Sequence, residues 1–158
     1  TTLSASIGIL VCFLARDTTL QNELRSSPKG LPAAIEEILR IEAPLLCNRR
    51  KVVKDTVLAG RTLAAGDRLA VMWLAANRDE TVFEHPETFK PDRDPQHNLL
   101  WGSGIHMCPG APLARLELRV VLECLLEETP GWRLATNEPL QRAVYPATGF
   151  ARIPIQLG

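Results

Sequence analysis

The run Trp101-Gly102-Ser103-Gly104-Ile105-His106-Met107-Cys108-Pro109-Gly110 decides how this chain is read. After it, Leu113, Leu116, Val120, Cys124 and Leu125 recur at helical spacing to about Glu128, with Pro109 and Pro112 in the first turn, where proline is tolerated. A cysteine just ahead of a helix faces unpaired backbone N–H groups and the positive end of the helix dipole, and both favour a thiolate. Gly102, Gly104 and Gly110 give the loop backbone freedom and room for close approach. Other roles for Cys108 stay open on these residues alone. It can be a small structural thiol, or a nucleophile with His106 as its base, although no further partner is evident. A zinc site is the weakest of these, because His106-x-Cys108 is a poor ligand pair and no Cys-x-x-Cys occurs.

Two upstream stretches join this run. In Glu37-Ile38-Leu39-Arg40 the two charged residues lie three apart on a predicted helix and share one face. Taken singly, such a pair is usually a solvated surface pair of little worth. Phe89-Lys90-Pro91-Asp92-Arg93 lies in an irregular, proline-rich stretch, where Arg93 is able to complete a multiply hydrogen-bonded knot with that pair.

Together these residues resemble the cytochrome P-450 family, of the soluble bacterial kind. Trp101, Gly102, Gly104, His106, Cys108 and Gly110 match its cysteine loop, Glu37 and Arg40 its helix-K motif, and Arg93 the third member of that structural triad. Ala75-Ala76-Asn77-Arg78-Asp79 and Leu113-Ala114-Arg115-Leu116-Glu117 resemble two more family stretches. The likeness runs over essentially the whole chain but corresponds to the C-terminal part of a family member. The resemblance implies a helix-rich α+β fold with the end of helix I, helices J, K and L, small antiparallel sheets and a cysteine-ligand loop. It makes residues 1–158 the C-terminal haem-binding portion of a single domain, with the N-terminal part absent.

The resemblance also implies roles. Cys108 is the axial thiolate to the iron of haem b (iron protoporphyrin IX), and Gly102, Gly104 and Gly110 belong to the loop that holds the cofactor. Arg50, with Arg49 as a near alternative, and His106 bind the haem propionates, and Trp101 packs beside the sulfur. Pro109 has no N–H to offer that sulfur, which implies a more electron-rich thiolate and a lower iron potential. Thr1 and Thr2, at the start of the opening helix, are candidates for the threonine that guides protons to bound oxygen; a helix cap or frayed end accounts for them equally well. Leu45, Leu46, Cys47 and Asn48, and Thr148, Gly149 and Phe150, match two substrate-contact segments, and Arg115 matches a redox-partner contact. The implied activity is a monooxygenase that takes O2 and two electrons from a ferredoxin- or flavodoxin-type donor and oxidises a small apolar organic substrate. The alternative is a truncated, non-catalytic remnant, or a haem-binding or partner module, that lacks the distal pocket.

Composition bounds the rest. Hydrophobic residues make 46% of the chain and charged residues 23%, with zero net charge, so nothing points to nucleic acid or an anionic surface. The apolar opening stretch is short for a membrane span, and no membrane is expected. Four cysteines at unpatterned spacing suggest reduced thiols and a cytoplasmic protein. Periodicity predicts helices to about Arg16, from Thr19 to Arg25 and from Pro32 to before Pro44. Val52, Val53, Val57, Leu58, Leu69, Val71 and Trp73 predict one small antiparallel sheet, 84–100 a coil, and the tail after Gly131 short strands.

Overall fold

Three helices carry the core, because each presents leucine or isoleucine at three- and four-residue spacing. The computed structural model describes residues 2–145 and 147–158, so the Thr1 expectation lies outside the described residues. Helix α1 (Thr2–Leu14) contributes Ile9, Leu10 and Leu14, α3 (Leu31–Glu42) contributes Leu31, Ile35, Ile38 and Leu39, and α5 (Ala111–Glu128) contributes Leu118, Leu122 and Leu126. Helix α2 (Thr18–Ser26) adds Leu20 and Leu24. It is longer than predicted because the Asp17 carboxylate caps it, accepting the Leu20 N–H at 2.9 Å. The chain bends by 105° between α1 and α2, and no single helix among the described residues is long and apolar enough to cross a membrane.

Gln21 ties that bend to the far end of the chain. Its buried amide donates to the carbonyls of Leu14 and Trp132 at 2.6 and 2.8 Å and accepts the Trp132 N–H at 3.2 Å. The Trp132 indole N–H in turn donates to the Val11 carbonyl at 3.0 Å. Helix α3 starts with Pro32 in its first turn and stops at Ala43, whose N–H still bonds to Leu39 before Pro44 forbids another turn.

The single predicted sheet is two nested antiparallel ribbons. Strand β1 (Asn48–Lys51) pairs with β4 (Arg68–Val71), and between them in sequence β2 (Thr56–Leu58) pairs with β3 (Arg61–Leu63). Ala59 and Gly60, both at positive φ, make the tight turn that joins the inner pair. Trp73 does not extend β4 but opens the short helix α4 (Trp73–Ala76). The meander from 84 to 100 contains one 3-10 turn, Pro95–His97. The tail holds β5 (Trp132–Leu134), β6 (Gln141–Arg142), β7 (Phe150–Arg152) and β8 (Ile155–Leu157), paired β5 with β8 and β6 with β7.

Cys12 lies in the α1 core and is 1% exposed. Burial pushes its thiol above the ordinary cysteine value, with Arg16 and Arg142 pulling weakly the other way. The folded state therefore holds this proton more tightly than the unfolded chain. The resulting stability is complete below the ordinary thiol range of about 8.5 and is lost as the pH rises from there through the raised value. Urea unfolding as a function of pH is expected to show an alkaline decline that is shallower in Cys12→Ala.

Candidate functional site

Cys108 is placed by hydrogen bonds within its own loop. Its N–H donates to the Trp101 carbonyl at 2.8 Å, which folds the loop back on its first residue. Inside that fold, the Met107 N–H donates to the Gly104 carbonyl at 3.1 Å and closes the 3-10 turn Gly104–His106. Gly102 has φ 76° and Gly104 φ 63°, where side chains are strained, and a Cβ on Gly102 would stand a tight 3.2 Å from the His106 carbonyl oxygen. Gly110 is different: its φ is an ordinary −85°, and an added Cβ would lie 3.8 Å from the Cys108 sulfur. Its lack of a side chain leaves that face of the sulfur open. Beyond Gly110 the Ala111 N–H donates to the Cys108 carbonyl at 3.2 Å, so α5 begins directly behind the cysteine.

The exposed sulfur borders a cavity of about 350 Å³ between α1, α3, β1 and α5. Its apolar wall includes Leu3, Leu39, Leu45, Leu100, Ala114 and Leu118, and Arg50 and His106 bring basic groups to the same space. Strand alternation separates the two adjacent arginines. Arg50 lies on the cavity face with Asn48, and Arg49 points out to solvent over the Tyr145 ring. No hydrogen bond joins the His106 ring to the Cys108 sulfur among the described residues, so a His-activated nucleophile finds no geometric support. Among the described residues no three or more His, Cys, Asp or Glu side chains gather to hold a metal ion. One sulfur, apolar walls and two basic side chains suit a flat, largely apolar body carrying carboxylates.

Trp101, Gly102, His106, Cys108, Gly110 and Arg50 all line this cavity; Gly104 shapes the loop but stands outside the lining. Thr2 lines it from α1, together with Ser6, whose hydroxyl donates to the Thr2 carbonyl at 3.0 Å. Leu45 and Asn48 reach the wall, whereas Leu46, Cys47, Thr148, Gly149 and Phe150 do not. Cys47 is buried with its sulfur 3.3 Å from the Tyr145 hydroxyl. The Thr148 hydroxyl bonds to the Ala43 carbonyl, Gly149 packs on Ile9, and Phe150 lies under Arg142 in the tail.

The structure brings Glu37, Arg40 and Arg93 together behind the site. Arg40 is 1% exposed and makes two bonds to the Glu37 carboxylate, at 2.8 and 2.9 Å. Two further donors go to the Asn77 and Pro86 carbonyls, both at 2.6 Å. Glu37 also accepts Arg93 Nε at 3.0 Å and the Lys90 N–H at 3.1 Å. Arg93 then reaches the His85 and Thr88 carbonyls. Asn77, wholly buried, carries the knot on: its side-chain oxygen accepts the Leu99 N–H at 2.8 Å, two residues before Trp101. No role for Asn77 is legible in sequence, because these partners lie 37 and 22 residues away.

Glu36 was missed outright. Both of its oxygens accept the Trp101 indole N–H, at 3.0 and 2.9 Å, and it pairs with Arg115 at 2.6 Å. The Arg115 guanidinium lies 4.9 Å from the Trp101 ring centre. Arg115 is thus engaged with its own chain while half of its side chain remains exposed. The only sequence signal for Glu36 was an acid beside Glu37.

Comparison with known proteins follows the same outline. The family model described as Cytochrome P450 matches residues 2–129. A steroid C26-monooxygenase of Mycolicibacterium smegmatis is 44% identical over 110 residues, covering 70% of this chain and 27% of that protein. A 20-oxo-5-O-mycaminosyltylactone 23-monooxygenase of Streptomyces fradiae is 38% identical over 136 residues, 86% of this chain and 32% of that one. Among solved structures, the post-tailoring hydroxylase HmtN of himastatin biosynthesis superposes with a TM-score of 0.92 at 32% identity, covering 99% of this chain and 43% of that one. CYP109E1 from Bacillus megaterium in complex with testosterone gives a TM-score of 0.89 at 33% identity, covering 98% and 43%. The chain spans about a third of the length of the curated relatives it matches.

Proposed function

The chain belongs to the cytochrome P450 family, and on that premise we propose that it forms the C-terminal, haem-side portion of a haem-thiolate monooxygenase domain. The family binds haem b through a cysteine thiolate. The observation that carries the proposal is the shared cavity: an exposed Cys108 sulfur, Arg50 and His106 all border one apolar space against α1.

Each residue then has a task. Cys108 supplies the sulfur ligand, at the point where α5 begins. Arg50 and His106 hold the two propionates, and the Arg50 fork suits a carboxylate. Trp101, which lines the same cavity, would limit water at the ligand. Glu37, Arg40 and Arg93 hold the meander from which the cysteine loop departs. Thr2, facing the same cavity from α1, is the candidate for handing protons to the oxygen side. Bound there, a thiolate-ligated haem supplies the electron-rich iron that favours O–O cleavage, and Pro109 leaves its sulfur one donor fewer.

The substrate is proposed to be a small apolar organic molecule, met here by Leu45 and Asn48, with O2 as co-substrate and a ferredoxin- or flavodoxin-type protein as electron donor. Two relatives named as a steroid C26-monooxygenase and a 20-oxo-5-O-mycaminosyltylactone 23-monooxygenase support an organic substrate in general. A cytoplasmic location fits four free cysteines.

Hemin titration of the purified protein tests the proposal. The reduced, CO-bound form is expected to give the Soret band of thiolate-ligated haem. Arg50→Ala is expected to weaken hemin binding by on the order of tenfold, the worth of one charge-assisted hydrogen bond. Arg49→Ala, on the outward face of the same strand, is expected to change little. Equal losses in both variants contradict the propionate role.

A further inference from the structure

Glu36 and Glu37 are neighbours in sequence yet serve different parts of the molecule. Successive helical residues point about 100° apart, so α3 sends Glu37 to the meander and Glu36 to the cysteine loop. The Glu36 carboxylate accepts the Trp101 indole N–H with both oxygens and is paired with Arg115, which also covers the Trp101 ring. At its other end, Trp101 accepts the Cys108 N–H on its backbone carbonyl at 2.8 Å. Besides the Gly102 N–H bond to the Leu99 carbonyl at 2.9 Å and the Met107 N–H bond to the Gly104 carbonyl at 3.1 Å, the loop between them has little to hold it. Ile105 is 97% exposed and Met107 54%, and the 3-10 turn there buries no residue.

We propose that Glu36 is a positioning residue for the Cys108 sulfur. It fixes the Trp101 side chain through a charge-assisted hydrogen bond, and the fixed Trp101 backbone holds the Cys108 amide. Arg115 supports this from above the ring, pairing with the carboxylate and keeping it aimed. The indole N–H accepted by both oxygens and the guanidinium over the ring set this half-exposed pair apart from a lone surface pair that contributes almost nothing. The functional meaning rests on Cys108 being the haem ligand. The physical link itself does not, so its test is made with and without haem.

The test is amide hydrogen exchange, read by mass spectrometry over 101–110 and over the interior of α5, in the haem-free and haem-loaded protein. Glu36→Ala and Trp101→Phe are each expected to speed exchange at the Cys108 amide by about tenfold, with no further gain in the double variant, because both cut the same link. Glu36→Gln is expected to keep most of the protection, since its amide oxygen still accepts the indole N–H. The α5 interior is expected to stay unchanged. An unaltered Cys108 amide, effects that add in the double variant, or equal acceleration through α5 each overturn the proposal. Should Glu36→Ala fail to fold, Trp101→Phe against Glu36→Gln decides: fast exchange in the first with protection in the second supports the link, and equal exchange overturns it. A protein that shows this exchange pattern but never gives the thiolate Soret band keeps the positioning link and loses the haem reading.

Discussion

Glu37→Ala is expected to lower the unfolding free energy by about 3–5 kcal/mol, a large share of the roughly 5–15 kcal/mol that holds a domain together. The size follows from what the substitution strands. Arg40 is fully buried and would be left with the Asn77 and Pro86 carbonyls and the Phe83 ring but no anion. Arg93 Nε and the Lys90 N–H lose their acceptor in the same step. Urea unfolding read by far-ultraviolet circular dichroism measures the loss. Glu37→Leu combined with Arg40→Met is expected to regain part of it, because no charge is then left buried alone. A single substitution costing under about 1 kcal/mol, the range of a surface pair, contradicts the structural role assigned to the knot.

The second large effect is chemical. Cys108→Ala is expected to abolish the thiolate Soret band of the reduced, CO-bound protein while leaving the fold intact. Cys108 is exposed and its sulfur packs in no core, so its removal opens no internal cavity. Hemin retained by Arg50, His106 and the apolar walls would report ordinary nitrogen- or oxygen-ligated or ligand-free haem. Circular dichroism and the urea midpoint are expected to match the unmodified protein within about 0.5 kcal/mol, the range for exposed substitutions. The same hemin spectrum with and without the sulfur contradicts the assignment.

The helices and the loop were legible because their signals are local. Pro32 and Pro44 bracket α3, and the glycine pattern of 101–110 announces a turn before a helix. Which side of a helix is buried was less legible. Leu113, Leu116 and Val120 keep helical spacing in α5, yet they are exposed, and the buried stripe is Leu118, Leu122 and Leu126. Both stripes satisfy the period, and only α1 and α3 packing against one of them decides. The ribbons split for a similar reason: Ala59 takes a positive φ that its identity does not announce, so the inner hairpin was hidden.

Within the site, local order fixed the cysteine loop, and strand alternation separates Arg50 from Arg49 once β1 is in place. The resemblance matches Thr148, Gly149 and Phe150 to a substrate-contact segment; in the structure Thr148 bonds to Ala43 at the end of α3 and Gly149 packs on Ile9 of α1, outside the cavity lining. Glu36 stayed hidden because its partners lie 65 and 79 residues away, a separation no window of sequence can join.

Iron-edge X-ray absorption of the haem-loaded protein tests the central claim most directly. The account predicts one sulfur among the iron's nearest neighbours in the unmodified protein and none in Cys108→Ala. A first shell of nitrogen and oxygen alone in the unmodified protein would contradict it.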